Sequence, residues 1–523
     1  MRIRPRVVPL VFCLTLAGPL AAQDSGAPMS AIDWLSDSVT APPPAAPATD
    51  APRAPDEPAV SPGVPLDAVT VAPLAETRSR PDAIGILSPA VTGLPADLWG
   101  RSRAEDIARR ISAERAEMLP ALQALLYTIL LAELDPPRDA TADGRSVFLA
   151  RVDKLLEMGA LDQAQALLGR AGAEDPEIFR RQFDVALLLG EEQPLCELMS
   201  ETPDLSPTYQ ARIFCLARAG DWTAASLLLG TGSALGLIGE DDAALFARFL
   251  DPDLFEGEPP LRLPQDPTPL TFRMFEAIGD AIPTVGLPLA FAHSDLRSNI
   301  GWRSRIEAGE RLARTGAVSD NQLLGLYTER RPAASGGVWA RVAALQSLEA
   351  AMVRRDREAL SAELPRAWRT LTSARVEVPI ARIHGPRLHA LSLPGTAGQI
   401  AFRMALLSDD YEAIAQAATP QTSLDQLLAA VAQGILEGQP APGERARAVA
   451  DAFAATTPPA RLASLVQGER LGEAILRAMA LLTEGAQGDL DQVTDALALL
   501  RSVGLEDTAR RAALEYLILD RRG

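Results

Sequence analysis

The sequence predicts an all-α protein in which helical hairpins stack into an α-solenoid, behind a disordered, proline-rich N-terminal tether. Apolar residues make up 47 % of the 523 residues and aromatic residues only 5 %, a balance that favours Ala- and Leu-rich helices over β-sheets. A chain of this length is also too long for one ordinary core. Gly159 and Gly190 are each followed 17 positions later by a proline, a spacing typical of repeated helical hairpins.

The first 22 residues have the three parts of a secretory signal peptide. Arg2, Arg4 and Arg6 form a positive start, residues 7–16 are apolar, and small residues lead to Ala22. We predict cleavage after Ala22 and a periplasmic location for the mature protein. The apolar run is too short for a permanent membrane anchor, and we expect no integral membrane segment after cleavage.

Residues 23–96 are predicted to be a disordered tether, because residues 40–95 contain 13 prolines among small and polar residues. A short motif at 30–39 interrupts it. In a helix, Ile32 and Leu35 would share one face, with Trp34 beside them. Two interpretations stay open, and in the first of them this motif docks a partner. The alternative is that it folds back onto the protein's own solenoid.

The remaining chain is predicted to form three helical blocks. They are a repeat block at 97–250, a second block at 270–394 and a C-terminal block at 395–523, with a proline-rich break at 251–269. One stretch, 376–380, alternates apolar and polar residues as a strand does. Because Pro379 cannot donate a backbone hydrogen bond, we expect only an extended or edge segment there.

The glycine and proline positions resemble the tetratricopeptide family. In that family a glycine, a leucine or aromatic residue two positions later and an alanine five positions later mark the turn inside a hairpin, and a proline follows at the next junction. One copy consists of Gly159, Leu161, Ala164 and Pro176, and Gly220, Trp222 and Ala225 repeat its first part. The copies are closer together than in the family. The resemblance implies a concave surface that binds an envelope protein or peptide.

Cleavage of the signal peptide would leave two cysteines, Cys196 and Cys215, in an oxidising compartment. We predict a disulfide between them, since facing positions across a helical hairpin can meet. Two free buried thiols are the alternative.

The formal net charge of −18 argues against binding to nucleic acid, because an acidic surface repels phosphates. No nucleophile elbow or zinc-protease motif is present, and we predict no cofactor and no metal. The glycine-rich stretch 230–236 is predicted to be an inter-helix connection, since no βαβ pattern surrounds it. His384 and His389 form a candidate site, and solvent-exposed or hydrogen-bonded histidines in a loop are the alternative.

The function predicted from the sequence is a non-enzymatic, periplasmic scaffold or adaptor that binds a protein or peptide partner along the solenoid surface. One alternative is a peptidoglycan- or glycan-associated helper or enzyme, with a site near His384 and His389. Another is a structural or motility-associated component of the envelope.

Overall fold

The computed structural model describes residues 80–141 and 144–519. Within these two ranges every regular element is a helix, and the predicted all-α class is confirmed. The predicted signal peptide, the tether up to residue 79 and the motif at 30–39 lie outside the described residues. No helix in the described part is both long and apolar enough to cross a membrane.

Among the described residues, ten α-helices precede the proline-rich break. They are α1 (Pro89–Thr92), α2 (Ala104–Ala113), α3 (Pro120–Leu131), α4 (Ser146–Glu157), α5 (Leu161–Ala171), α6 (Pro176–Leu189), α7 (Gln193–Glu201), α8 (Tyr209–Arg218), α9 (Trp222–Ala234) and α10 (Glu240–Leu250). From α4 to α10 each helix packs against the next one in the chain. Hairpin packing of neighbours is therefore present here, whereas the tetratricopeptide class stays a prediction.

Helix α6 begins and ends at the proline and glycine positions predicted from the sequence. The Asp175 carboxylate accepts hydrogen bonds from the backbone N–H groups of Glu177 and Ile178, and Pro176 occupies the first position of α6. The helix ends at Gly190, whose φ of 82° lies in the left-handed region that favours glycine. Local sequence signals thus set both ends of α6.

The folded part begins earlier than predicted, because residues 80–96 pack against α3 and α4 instead of continuing a tether. The Asp82 side chain is fully buried and accepts a hydrogen bond from the Phe148 N–H at 2.8 Å. The backbone N–H groups of Ile86 and Leu87 both donate to the carbonyl of Leu131, in the last turn of α3. These contacts, which proline content does not reveal, offset the cost of ordering the segment.

The proline-rich break contains one short 3₁₀-helix, Pro252–Phe255, and no α-helix. Seven α-helices follow in the second part and at its boundary. They are α11 (Pro269–Ala277), α12 (Trp302–Ala313), α13 (Asp320–Thr328), α14 (Gly337–Arg354), α15 (Arg357–Ala374), α16 (Glu377–Ala390) and α17 (Gly395–Ala405). Further 3₁₀-helices are Pro81–Ala83, Pro203–Leu205 and Leu289–Leu296.

The C-terminal part contains the remaining helices of the described residues. They are α18 (Tyr411–Ala417), α19 (Ser423–Gln433), α20 (Glu444–Ala454), α21 (Ala460–Gln467), α22 (Leu471–Gly485), α23 (Leu490–Ser502) and α24 (Glu506–Ile518). This part packs against the beginning of the described chain, with α22 on α2 and α24 on α3. One apolar core therefore includes residues from both ends, and the three predicted blocks do not form a simple linear row.

Buried polar groups hold this closure together. The Glu473 carboxylate on α22 accepts from the Ser102 hydroxyl at 3.0 Å and from the Arg110 guanidinium at 2.8 Å. On α24, the Glu515 carboxylate accepts from the backbone N–H of Ala121 at 2.8 Å. That N–H lies in the first turn of α3, so no carbonyl of its own helix accepts a hydrogen bond from it. The C-terminal helices thus cap the N-terminal ones.

The extended segment predicted at 376–380 is wrong, since these residues begin α16. Pro379 lies in the first turn, where a missing N–H costs nothing. The apolar alternation does not mark a covered and an exposed face, because all five residues are buried, Glu377 and Pro379 included. Further along α16, Gly385 lets α17 approach so closely that an added Cβ would lie 2.6 Å from the Met404 carbonyl oxygen.

Candidate functional site

The helix α9 is exposed to solvent although it carries no charge. From 222 to 239 the sequence contains no Asp, Glu, Lys or Arg. Within α9 only Ala225 and Gly232 are buried. The large apolar side chains that remain exposed are Trp222 (48 %), Leu227 (71 %), Leu235 (68 %) and Leu237 (47 %), and we call them together the α9 surface. The solvent face of an ordinary surface helix carries charged residues. This one carries none, and its exposed polar residues are the hydroxyl side chains of Thr223, Ser226, Thr231 and Ser233.

A narrow stripe of small residues explains why α9 leaves so much surface uncovered. Asp221 caps the helix by accepting from the Ala224 N–H. Ala225 and Gly232, seven positions apart, lie on the stripe that packs inward. At Gly232 an added Cβ would lie 2.6 Å from Ile238 Cδ1, so the chain folds back tightly at this end. Leu228 and Leu229 are partly buried against the core on the same side, and Leu227 is left exposed.

A disulfide bond joins α7 and α8, the two helices beneath α9; they are called the platform of the α9 surface. Cys196 on α7 and Cys215 on α8 form a disulfide in the structure, with 5.1 Å between their Cα atoms. Both cysteines are buried, and α8 is the helix against which α9 packs. A disulfide restricts the unfolded chain and holds the two helices together. The α9 surface therefore stands on a covalently joined hairpin.

The sequence interpretation of 230–236 as an inter-helix connection is wrong for most of its length. Residues 230–234 continue α9, and the turn comes only afterwards, with Gly236 at a φ of 68°. The α9 surface itself was missed by the sequence reasoning. The uncharged run at 222–239 was the available signal, because it lies among helices that otherwise carry acidic and basic residues.

A second feature is a cleft of about 560 Å³ between the end of α16, α17 and the connection from α18 to α19. Its lining includes His389, Gln399, Phe402, Thr419, Gln421 and Asp425. The His389 ring lies 5.5 Å from the Phe402 ring, centroid to centroid. Burial lowers the pKa of His389, which favours a neutral imidazole at neutral pH.

Two polar side chains of this cleft, those of His389 and Gln399, are available to bind a ligand. Neither the His389 imidazole nor the Gln399 amide has a hydrogen-bond partner among the described residues. The Asp425 carboxylate, by contrast, accepts from Arg403 and from the Thr422 hydroxyl. The cleft therefore offers neutral donors and acceptors beside apolar walls.

The structure does not bring the two candidate histidines together. His384 is buried, at 3 % exposure, and its Nε2 lies 3.4 Å from the Glu349 carboxylate, away from the residues that line the cleft. Five positions on a helix place His389 on a different face. Both belong to α16, so the interpretation as loop histidines is wrong as well. Among the described residues no group of three or more His, Cys, Asp or Glu side chains could hold a metal ion.

No family model, curated protein or solved structure matches this chain significantly. The predicted docking motif, with Ile32, Trp34 and Leu35, lies outside the described residues. The α9 surface and the cleft at His389 are thus the features of the described chain on which a function can be argued.

Proposed function

We propose that this protein is a non-enzymatic scaffold or adaptor of the periplasm, and that it binds a protein partner through the α9 surface. The observation that carries the proposal is an uncharged stretch, 222–239, that leaves four large apolar side chains exposed to water in α9 and the turn after it. Exposed apolar side chains that are close together mark binding surfaces in soluble proteins. The periplasmic location rests on the signal-peptide features of residues 1–22.

The rest of the architecture supports a binding role. Helices packed hairpin to hairpin, as from α4 to α10, build long surfaces, and such surfaces suit partner proteins better than small substrates. The disulfide between Cys196 and Cys215 keeps the platform rigid, which lowers the entropy cost of binding. We extend the proposal to an α-solenoid arrangement of these hairpins, with the partner lying across them.

Replacing Leu227 and Leu235 together by aspartate is expected to abolish partner binding without unfolding the protein. Both side chains are mostly exposed, so their loss costs little stability, whereas a charge in the centre of an interface is strongly unfavourable. The measurement is recovery of cross-linked partners by the tagged mature protein from intact envelopes. We expect a loss of about tenfold or more in the partner that the wild type recovers.

The matched control is Val353→Asp, because Val353 on α14 is an equally exposed apolar residue, at 80 %, away from α9. This variant should recover the partner as the wild type does. Equal recovery by the Leu227 and Leu235 variant, or no specific partner for the wild type, would contradict the proposal.

Glycan binding is a second candidate function, and the cleft at His389 favours it. Neutral hydrogen-bonding groups beside an aromatic ring and small residues suit an uncharged sugar better than an ion. Here the uncommitted His389 and Gln399 side chains would bind the hydroxyl and amide groups of the sugar.

Soluble peptidoglycan fragments are the probe for this second function. We expect saturable binding by the full mature chain in calorimetric titration, and an affinity about tenfold or more lower in the His389→Ala and Gln399→Ala variants. The control is His384→Ala, since His384 does not line the cleft. If the wild type shows no saturable heat, or all three variants behave alike, the glycan role is rejected.

A further inference from the structure

The surroundings of the α9 surface are strongly acidic. Between 221 and 258 the chain has eight acidic residues and one basic residue, Arg248. That arginine is already engaged, since it donates to the Glu258 carboxylate and to the Pro259 carbonyl. Within this stretch the acidic side chains therefore outnumber the basic ones by eight to one, and the nearest arginines before it are Arg212 and Arg218 on α8.

The acidic residues lie at both ends of the surface. The Trp222 ring, at the start of α9, lies 6.1 Å from the Phe249 ring, near the end of α10. The two helices consequently run antiparallel. Asp251 and Asp253, after the end of α10, lie at the Trp222 end, and Glu240 and Asp241 follow the turn at the Leu237 end.

Several of these carboxylates are available to a partner. The side chains of Glu240, Asp241 and Asp253 are exposed and make no hydrogen bond or ion pair among the described residues. In an isolated surface helix such carboxylates contribute mainly to the helix dipole. Beside an unpartnered apolar face they also determine the sign of charge that can approach it.

We infer that the occupant of the α9 surface is a cationic amphipathic helix of a partner protein. Its apolar residues, at spacings of three and four, would pack on Leu227 and Leu235, and its Lys or Arg residues would pair with Glu240, Asp241, Asp251 and Asp253. The 13 residues of α9 extend for about 20 Å, which such a helix would match over about four turns. This inference rests on the proposed function and specifies the partner's chemistry.

The same charges disfavour the other occupants. A second copy of this chain would place the acidic borders of two α9 surfaces against each other, which is repulsive. A membrane rich in anionic lipid would meet the same repulsion, although an exposed apolar helix otherwise suits a lipid interface. A basic helix is the partner for which both the apolar area and the charge are favourable.

The test uses two labelled synthetic helices with the same leucine face, one flanked by Lys and Arg and the other by Glu, added to the full mature protein. Fluorescence anisotropy should show the cationic peptide binding about tenfold or more tighter than the acidic one at low salt. Its affinity should fall severalfold between about 0.05 and about 0.5 M NaCl. The double variant Leu227→Asp with Leu235→Asp should not bind it.

A charge variant measures the contribution of the acidic residues to binding separately from that of the apolar side chains. Glu240→Gln with Asp241→Asn keeps the shape of the side chains, and we expect an affinity for the cationic peptide about three- to tenfold lower. The control is Glu437→Gln with Glu444→Gln, two exposed carboxylates of the C-terminal part, which should leave the affinity unchanged. Circular dichroism of every variant shows whether the helices are intact.

Equal binding of the two peptides, or binding of neither, would overturn the inference. Binding of anionic vesicles in preference to the cationic peptide would overturn it in favour of a lipid surface, and self-association abolished by Leu227→Asp would do so in favour of a second copy. The proposed function fails separately. It fails when no cross-linked partner depends on Leu227 and Leu235, whichever peptide binds.

Discussion

Arg151→Met is expected to destabilise the protein by about 3–5 kcal/mol, because it removes one member of a fully buried polar network. The Arg151 guanidinium donates to the carbonyls of Leu130 and Ala132, at 2.7 and 2.8 Å, and to that of Ile84 at 2.7 Å. The first two lie at the end of α3, where carbonyls have no partner within the helix. Methionine fills similar volume but donates nothing, so three buried acceptors lose their donor.

The pKa values in this network reflect burial that is partly offset by the neighbouring opposite charge. Burial lowers the pKa of Arg151 to about 10, and the nearby Asp82 carboxylate opposes that shift. Burial likewise raises the pKa of Asp82, against the hydrogen bond from the Phe148 N–H and the charge of Arg151. Without the arginine, Asp82 would be a buried carboxylate with no cation nearby, which adds to the cost of the substitution.

Two measurements check this prediction. Thermal unfolding followed by circular dichroism reports the overall loss, and hydrogen exchange of the Ile86 and Leu87 amides reports release of residues 80–96 from α3. Arg303→Met is the matched control, because the Arg303 side chain is 67 % exposed and its ion pair with Glu307 contributes little. Unchanged protection of the two amides in Arg151→Met would show that the guanidinium does not hold the segment.

Gly472→Val is the second substitution with a large expected effect, a loss of about 3 kcal/mol or more. Gly472 lies in the first turn of α22 and faces the indole of Trp99, which is 1 % exposed. A Cβ at this position would lie 2.5 Å from Trp99 Cε3 and 3.1 Å from the Leu98 carbonyl oxygen. The Gly472 N–H also donates to that carbonyl at 2.9 Å, so the backbones cannot separate without losing a hydrogen bond.

Gly325→Ala is the control for this substitution. Gly325 also lies inside a helix, α13, but an added Cβ would meet nothing within 4 Å. There alanine should stabilise the protein by up to about 1 kcal/mol, because glycine weakens a helix interior. The readouts are the unfolding temperature and the Trp99 emission. A Gly472→Val protein as stable as the wild type would mean that Leu98 and Trp99 do not pack against α22 in solution.

The sequence predicted the features that depend on neighbouring residues. Pro176, Asp175 and Gly190 act within one helix and its ends, and so α6 could be bounded from the sequence. At 376–380 the same reasoning failed, because the burial of Val376, Val378 and Ile380 comes from tertiary packing and imitates a strand pattern. Local patterns are reliable only where local interactions decide the structure.

Long-range contacts could not be predicted from the sequence. The pairing of Glu473 with Ser102 and Arg110, across more than 360 positions, leaves no periodic pattern. Neither does the capture of residues 80–96 by Arg151, which overrides a proline-rich composition. Of the candidate sites, His389 lines a cleft and His384 does not, a difference that depends on which faces of α16 are covered. The sequence contained the uncharged run that forms the α9 surface, but it did not reveal that this run is exposed to solvent.

The contact between the two ends of the described chain has a consequence for biosynthesis. A chain is made from its N-terminus, and α2 and α3 are therefore made before α22 and α24. The hydrogen-bond partner of Ser102 is Glu473, 371 positions later in the chain, and that of Ala121 is Glu515, 394 positions later. Until the last helices arrive, the apolar faces of α2 and α3 lack part of their cover, and closing so long a loop is slow. Exposed apolar surface of this kind makes an incompletely synthesised chain prone to aggregation.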